Sequence, residues 1–430
     1  MLLNPIDFGD NPYLVGPHAP VRKELDKPSL KYVGQVPKDF SGIYLRNGPN
    51  QIHPPCGTYH WFDGDGMVHG VEFREGRVNY RNRWINTAGL KQEQKTGHSL
   101  WPGLMDPPNR SLQEAWGSDL CLKDNSNTDL TIHGGKAIST FYQCGEAYTL
   151  DPLSLETLGT LDLLSGGGRQ MSAHCMTDEQ SGDLLFFDYA TKPPYMTYGV
   201  FDKDANLVHH TAIDLPGARL PHTLAFTTNY SILMDLPMFW DPELLQKDVH
   251  KVSFYPDKAS RFGLITRFGQ GDSIKWFEAD PCYIYHAVNS WEEGDVVILD
   301  VCRMSTPVPS EAKKQKLAGP YGSMLAWLKL DASYHRYRFN LVSGETKEES
   351  LSDLLSEFPV INNRFGGLSS RYSYHVTLAD TDAILFDGLV KIDSETTQNQ
   401  EYKFPKGCFG SESQFAPRDN AKNEDDGYLI

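Results

Sequence analysis

Short apolar runs bounded by Gly, Asp, Asn and Pro recur along the chain, and this pattern predicts an all-β protein. The clearest predicted strands lie within residues 182–190, 230–237, 294–303 and 382–393. Helical periodicity is scarce, and the predicted helices are 241–249, 309–318 and 347–358. No low-complexity linker divides the 430 residues, so we expect one β domain with helical insertions.

A repeated pairing of one His with one Asp marks three of the strand regions. In each, the His precedes a turn and an apolar strand that ends in the Asp; the pairs are His174 with Asp188, His222 with Asp235 and His286 with Asp300. The offsets are 14, 13 and 14 residues, and the three His are 48 and 64 residues apart. These gaps suit propeller blades slightly larger than the roughly 40–45 residues of WD40 repeats. One His at the same point of each blade would bring all three to the axis of a β-propeller.

Three converging imidazoles would form a metal site, because neutral imidazole suits Zn, Cu, Fe or Ni. Such a ligand set carries no negative charge, so carboxylates are expected around it. The alternative is that each His is a satisfied core or turn residue of its own hairpin. Spacing alone leaves both interpretations open.

The stretch HWFDGDGM, residues 60–67, is a second dense group of polar residues. Its Asp-Gly pairs supply turn positions, and its aromatic residues are typical of strands. It contains no Lys and opens no helix, so a phosphate site is not expected. An EF-hand calcium site would need more carboxylates. We therefore predict a structural hairpin.

Net charge, apolar runs and the cysteine pattern limit the partners and the cellular location that we expect. The net charge of −16 repels phosphate backbones, so we expect no nucleic-acid partner. No apolar run is long enough for a transmembrane helix, and the N-terminus lacks the features of a secretory signal. The seven Cys are scattered without a CxxC pair, which indicates reduced thiols in a cytoplasmic protein.

Several motifs, in order along nearly the whole chain, resemble those of the carotenoid cleavage oxygenases, nonhaem iron dioxygenases that also include stilbene-cleaving members. They are GIYLRNGPN (42–50), HWFDGDGMVH (60–69), the segments around the three His, SEFPVIN (356–362), CFGSESQFAPR (408–418) and EDDGYLI (424–430). The resemblance implies a seven-bladed β-propeller with a helical dome and an axial Fe²⁺ held by four His. It also implies that His174, His222 and His286 are the first three ligands, whereas His60 and His69 are not ligands.

The resemblance further implies three Glu that accept hydrogen bonds from ligand His. Glu357 and Glu412 match two of these positions, but the third, nine residues before Pro152, is Gln143. A Gln carbonyl can accept the same hydrogen bond without bringing negative charge, which puts the redox tuning of the iron in doubt. We expect Glu357 to pair with His286 and Gln143 to face His222.

Members of the family continue past EDDGYLI, and their fourth ligand lies in that continuation. No residue of this chain aligns with it, so we expect residues 1–430 to form one propeller domain that lacks its C-terminal strands, with an incomplete last blade and poor activity. His375 lies 12 residues before Asp387, an offset like those of the other pairs. The family does not use that position as a ligand.

The implied reaction adds both atoms of O2 across a conjugated C=C bond of a carotenoid or apocarotenoid and yields two carbonyl products. Stilbene cleavers resemble one another in a Lys where this chain has Tyr142, so a stilbene or related phenylpropanoid is the second choice of substrate. A non-catalytic propeller or an inactive fragment is the alternative from another class. The apolar segments 100–108 and 236–245 are expected either to form a tunnel mouth that touches a membrane or to cover the core.

Overall fold

The computed structural model describes residues 11–106, 111–112, 122–161, 171–247, 249, 251–309 and 330–430. Strands dominate these residues, which confirms the predicted all-β class, and they form seven antiparallel sheets. Sheets of about four antiparallel strands are the blades of a β-propeller. The chain separates into two compact units, one made of residues 1–177, 184–210 and 243–250 and the other of residues 178–183, 211–242 and 251–430.

Three four-stranded sheets lie mainly in the first unit. The first sheet has the order β1-β4-β3-β2, with β1 Leu25–Lys27, β2 Gly42–Arg46, β3 Met67–Arg74 and β4 Arg77–Trp84. The second runs in chain order, with β5 Asp129–His133, β6 Lys136–Thr140, β7 Tyr148–Leu150 and β8 Thr157–Thr160. The third has the order β12-β11-β10-β9, with β9 Met176–Thr177, β10 Leu184–Tyr189, β11 Met196–Phe201 and β12 Leu207–Ile213.

The remaining elements of the first unit are helical. Helix α1, Ala88–Thr96, begins after Thr87, whose hydroxyl accepts a hydrogen bond from the Leu90 N–H, and ends at Gly97 with a left-handed φ of 81°. Single 3₁₀ turns cover Gly16–His18 and Trp61–Asp63.

The second unit contains the longest strands. One sheet has the order β13-β14-β17-β18, with β13 Ala225–Phe226, β14 Tyr230–Asp235, β17 Ser260–Thr266 and β18 Lys275–Ala279. A seven-stranded sheet runs in chain order, with β19 Tyr283–Glu293, β20 Val296–Met304, β21 Ser333–Asn340, β22 Thr346–Val360, β23 Tyr372–Leu378, β24 Phe386–Asp393 and β25 Asn399–Lys403. Two hairpins add β15 Met238–Trp240 with β16 Val252–Phe254, and β26 Phe415–Pro417 with β27 Gly427–Leu429. The 3₁₀ turns Gly271–Ser273 and Asn363–Phe365 also lie in this unit, whereas helix α2, Pro242–Leu245, belongs to the first unit except for Pro242.

The strands predicted from apolar runs are present. The regions 182–190, 230–237, 294–303 and 382–393 contain β10, β14, β20 and β24, respectively. All six residues of β10 are buried, since both of its faces are covered. On one face Leu184, Phe186 and Phe201 pack into a cluster with Ile138 and Met171. A run of apolar residues without alternation is typical of such a doubly covered strand.

The predicted helix at 347–358 is wrong, because these residues belong to β22. Leu351, Leu354, Leu355 and Phe358 have helical spacing, but cross-strand pairing decides the structure. The N-terminal part of β22 pairs with β21, where Glu349 lies opposite Arg336, and its C-terminal part pairs with β23.

Of the other two predicted helices, one is present only in part and the other lies almost entirely outside the described residues. Of residues 241–249, only Pro242–Leu245 are helical. The predicted helix 309–318 lies, except for Pro309, outside the described residues. None of the described helices is both long and apolar enough to cross a lipid bilayer.

The HWFDGDGM stretch is a structural connection between the antiparallel strands β2 and β3, but it contains a 3₁₀ turn at Trp61–Asp63 instead of extended aromatic residues. The Asp63 carboxylate accepts hydrogen bonds from the His60 and Leu104 N–H groups at 2.7 and 3.0 Å. The buried Asp65 pairs with Lys123. Both carboxylates therefore act within the fold.

Candidate metal centre

Three His side chains converge in the structure. One ring nitrogen from each of His174, His222 and His286 lies within 4.8 Å of the corresponding nitrogens of the other two. The His222 and His286 rings meet edge to face, with centroids 5.4 Å apart and planes at 81°. Among the described residues this is the group of His, Cys, Asp and Glu side chains with the geometry to hold a metal ion.

His174 occupies an unusual backbone position just before β9. Its φ is 58°, in the left-handed region that a non-glycine residue seldom adopts. Its backbone N–H donates to Oδ2 of Asp129 at 3.0 Å, and its Nδ1 lies 3.7 Å from the same oxygen. The carboxylate at the start of β5 therefore fixes the turn that carries His174 and places negative charge beside the imidazole.

His286 is held by a buried carboxylate. Its Nδ1 lies 2.6 Å from Oε2 of Glu357, whose side chain is fully buried. Because a carboxylate only accepts hydrogen bonds, the ring donates from Nδ1, and Nε2 is the nitrogen that could bind a metal ion. The same oxygen also accepts a hydrogen bond from the Phe358 N–H at 2.5 Å.

Phe358 completes the support of His286. Its ring centroid lies 4.6 Å from that of His286, and its ring also meets the Phe386 ring edge to face, with centroids 5.3 Å apart. The φ of Phe358 is 49°, which is rare for a bulky residue and is associated with functional sites. Pro359 follows it in the sequence. The short segment from Glu357 to Phe358 thus binds one edge of the imidazole and packs against its plane.

A β-bulge directs two consecutive aromatic rings of β19 toward His222. Ile284 pairs with Arg303 and Ala287 with Val301, so Tyr285 and His286 together oppose only Cys302. Consecutive strand residues normally point to opposite faces, but a bulge breaks this alternation. Consequently the Tyr285 and His286 rings lie 4.8 and 5.4 Å from the His222 ring. Burial, followed by the nearby Glu357 carboxylate, raises the pKa of Tyr285.

The remaining candidate residues lie in different environments. Gln143 is buried, with 4% exposure, in the first unit, and its expected pairing with His222 stays a prediction. Glu412 is exposed, and its expected contact with a ligand His likewise stays a prediction. His375 is fully buried in β23, where its Nε2 lies 2.9 Å from Oγ of Ser373 and its Nδ1 3.3 Å from Oγ of Ser356. It is thus a core residue and does not belong to the His cluster.

The Asp residues of the repeated His-Asp pattern bind the next strand of their sheets. Asp188 accepts from Thr197 at 2.7 Å, Asp235 pairs with Arg219 and Arg261, and Asp300 pairs with Arg336. Their shared position follows from this structural role. The repeat therefore combines a His of the converging group with an Asp that anchors the strand pair behind it.

For the two apolar segments 100–108 and 236–245, a tunnel mouth and a cover over the core are the two alternatives, and their described residues differ in exposure. Met238, Phe239 and Trp240 are each at most 4% exposed, so within 236–245 they cover the core. In 100–108, Trp101 is buried at 4% exposure, whereas Met105 is 44% exposed. Tyr142, the position that distinguishes stilbene cleavers, is buried in an apolar cluster with Phe141 and Ala173.

Three supporting residues were not among the sequence predictions: Asp129, Tyr285 and Phe358. Asp129 lies 45 residues from His174, and no motif joins the two. Tyr285 and Phe358 are neighbours of predicted site residues, which is the one signal that could have identified them. The bulge and the left-handed φ that orient them have no mark in the sequence.

Comparison with known proteins gives a consistent result. The family model described as "Retinal pigment epithelial membrane protein" (RPE65) matches residues 18–430. Carotenoid 9,10(9',10')-cleavage dioxygenase 1 of Phaseolus vulgaris is 32% identical over 97% of this chain and 81% of its own length. Lignostilbene dioxygenase of Pseudomonas brassicacearum superposes with a TM-score of 0.84 at 24% identity, over 99% of this chain and 90% of that chain. A Synechocystis apocarotenoid oxygenase variant superposes with a TM-score of 0.80 at 25% identity, over 95% and 87%. These matches confirm the predicted β-propeller class.

Proposed function

Because this chain belongs to the carotenoid cleavage oxygenase (RPE65) family of dioxygenases, we propose that it uses Fe²⁺ and O2 to cleave a conjugated C=C bond of a carotenoid or apocarotenoid. Both oxygen atoms enter the products, so one C=C bond and one O2 become two carbonyl groups. The observation that carries the proposal is the convergence of His174, His222 and His286.

The ligand atoms fit one transition-metal ion. One nitrogen from each of the three rings lies within 4.8 Å of the other two, so all three could bind a single ion after a small adjustment toward the usual metal–nitrogen distance of about 2.1 Å. Imidazole nitrogens suit Fe²⁺ but also Zn²⁺, Cu²⁺ and Ni²⁺. The choice of iron follows the family, and the buried Glu357 carboxylate on His286 supplies negative charge toward a divalent cation.

Bound iron would supply the redox chemistry that lets O2 react with an alkene. The residues of this chain then have three tasks. The imidazoles would hold the ion, Glu357 fixes the orientation of His286, and the Phe358 ring packs against that imidazole. Since the reaction needs no proton transfer in this account, no general acid or base is assigned.

The surroundings of Tyr142 are apolar, because it lies in a buried cluster with Phe141 and Ala173, against which Phe62 and Leu104 pack. Tyr142 meets Phe62 edge to face at 5.3 Å, so this position has an aromatic side chain where the stilbene cleavers carry a Lys. A stilbene or another phenylpropanoid is the second candidate. It is favoured by the similarity to isoeugenol monooxygenase of Pseudomonas nitroreducens, which is 29% identical over 98% of this chain, because isoeugenol is a phenylpropanoid.

The test is iron content followed by product analysis. The purified chain is loaded with Fe²⁺ without oxygen, freed of unbound metal and analysed by elemental mass spectrometry; about one iron per chain is expected. It is then given ¹⁸O2 with a carotenoid, an apocarotenal or a hydroxystilbene, and the two carbonyl products should each carry label. A protein that binds no iron and cleaves none of the three would be a non-catalytic member, which contradicts the proposal.

A further inference from the structure

Tyr285 has a position that the proposed function leaves unused. The bulge in β19 places its ring on the same side as His286, and the ring meets His222 edge to face at 87° with centroids 4.8 Å apart. It also packs against Tyr283, with centroids 5.0 Å apart. Tyr285 is half-buried, as His286 is, so both remain accessible from the same side.

The hydroxyl groups of the two neighbouring tyrosines differ in their partners. Tyr283 donates to the Leu220 carbonyl at 2.7 Å. The Tyr285 hydroxyl has no hydrogen-bond partner in the part of the chain that the structure describes, where the ring contacts His222, Tyr283 and His286. A phenol at neutral pH keeps its proton and offers one O–H donor. A donor that stays accessible and has no acceptor within the protein can donate to a ligand that supplies one, and that hydrogen bond adds to the binding free energy.

A purely hydrocarbon polyene cannot pair with this donor. An oxygen-bearing substrate can, through a carbonyl oxygen of an apocarotenoid or a phenolic oxygen of a stilbene. We propose that the Tyr285 hydroxyl recognises an oxygen atom of the substrate and thereby favours oxygenated polyenes or stilbenes over hydrocarbons. Tyr285 is thus a specificity-determining residue, and this inference rests on the proposed function.

The contribution of the ligand's oxygen atom to binding can be measured without turnover. Quenching of protein fluorescence is titrated, in the absence of O2, with two matched pairs: an apocarotenal and the hydrocarbon polyene of the same length, and 4-hydroxystilbene and stilbene. Tyr285→Phe removes only the hydroxyl and keeps the ring contact with His222. Tyr283→Phe removes the neighbouring hydroxyl, whose partner is the backbone, and serves as the matched control.

Tyr285→Phe should weaken binding of the oxygenated member of one pair by about 3- to 10-fold, the range for one neutral hydrogen bond, and leave the hydrocarbon unchanged. The pair that responds identifies the source of the oxygen. Tyr283→Phe should show no such difference between pair members. Equal effects of Tyr285→Phe on both members of both pairs, or no effect on any, would overturn the inference. If the unaltered protein binds none of the four ligands, the proposed function itself fails, which is a different result.

Discussion

Glu357 accepts a hydrogen bond from Nδ1 of His286 at 2.6 Å, although 71 residues separate the two in sequence. The carboxylate is fully buried, and the Phe358 N–H donates to the same oxygen. An imidazole held in this way has a fixed tautomer and a more basic Nε2. The pair is therefore the best place to test whether the His cluster is a metal site.

Glu357→Ala is expected to lower the iron affinity about 10- to 100-fold, because such partners of ligand His usually contribute that much. Glu357→Gln keeps a hydrogen-bond acceptor but loses the charge, so its iron affinity should lie between that of the unaltered protein and that of Glu357→Ala. Iron retained after dialysis against a graded chelator series measures the effect. Glu349→Gln, at a half-exposed side chain on the same strand, is the control and should retain iron like the unaltered protein. Full retention by Glu357→Ala would count against the role of the pair.

Replacement of any one of His174, His222 and His286 by Ala should lower iron affinity by at least about tenfold, since each supplies one ligand atom. His98→Ala is the matched control, because this His is exposed and lies outside the cluster. Iron per chain after gel filtration and the melting temperature are measured together. A variant of the cluster that keeps its iron while the protein stays folded would exclude that His from the ligand set.

The sequence predicted the strands and the three His because both leave local marks: apolar runs bounded by turns, and a recurring His-turn-strand-Asp order. The helix predicted at 347–358 was wrong because charges opposite each other on adjacent strands, such as Glu349 and Arg336, are invisible to a local pattern. Tyr285 shows a second limit. Alternation along a strand places Tyr285 and His286 on opposite faces, and only the register of β20 reveals the bulge that brings them together.

Gln143→Glu tests the one departure from the three Glu that the family resemblance implies. If Gln143 faces His222, a carboxylate at position 143 accepts a hydrogen bond from the imidazole N–H, and the divalent ion offsets its charge. Iron affinity should therefore rise by up to about tenfold. The iron-free variant should be destabilised, because position 143 is only 4% exposed and a carboxylate without a partner is costly when buried. Melting curves with and without Fe²⁺ separate the two effects. Equal destabilisation in both conditions would show that Gln143 lies apart from the metal.

Asp300→Asn should strongly destabilise the seven-stranded sheet. Asp300 is 1% exposed, accepts two hydrogen bonds from the Arg336 guanidinium at 2.7 Å, and accepts a third from Tyr334 at 2.6 Å. Removal of one charge of a buried pair leaves the other uncompensated, at a cost of about 3–5 kcal/mol. Glu293→Gln breaks the exposed pair with Arg338 in the same sheet and should cost less than about 1 kcal/mol. Urea unfolding of both variants gives the comparison, and similar costs would contradict it.

His375 should make the protein sensitive to acid. Burial lowers the pKa of this imidazole from its usual value near 6.5 to about 3. Between about pH 3 and pH 6.5 the unfolded chain therefore binds more protons at this residue than the folded chain does. The free energy of unfolding consequently falls as the pH drops below about 6.5. The loss from this residue should be of the order of 2 kcal/mol at pH 5. His375→Asn cannot titrate in this range, so its stability should fall less steeply from pH 7 to pH 5. Urea unfolding of the two proteins at several pH values measures both slopes. Iron-free protein is used, because otherwise protonation of the proposed ligand His would release iron and lower the stability by another route. Parallel slopes for the two proteins would mean that other groups govern the acid sensitivity.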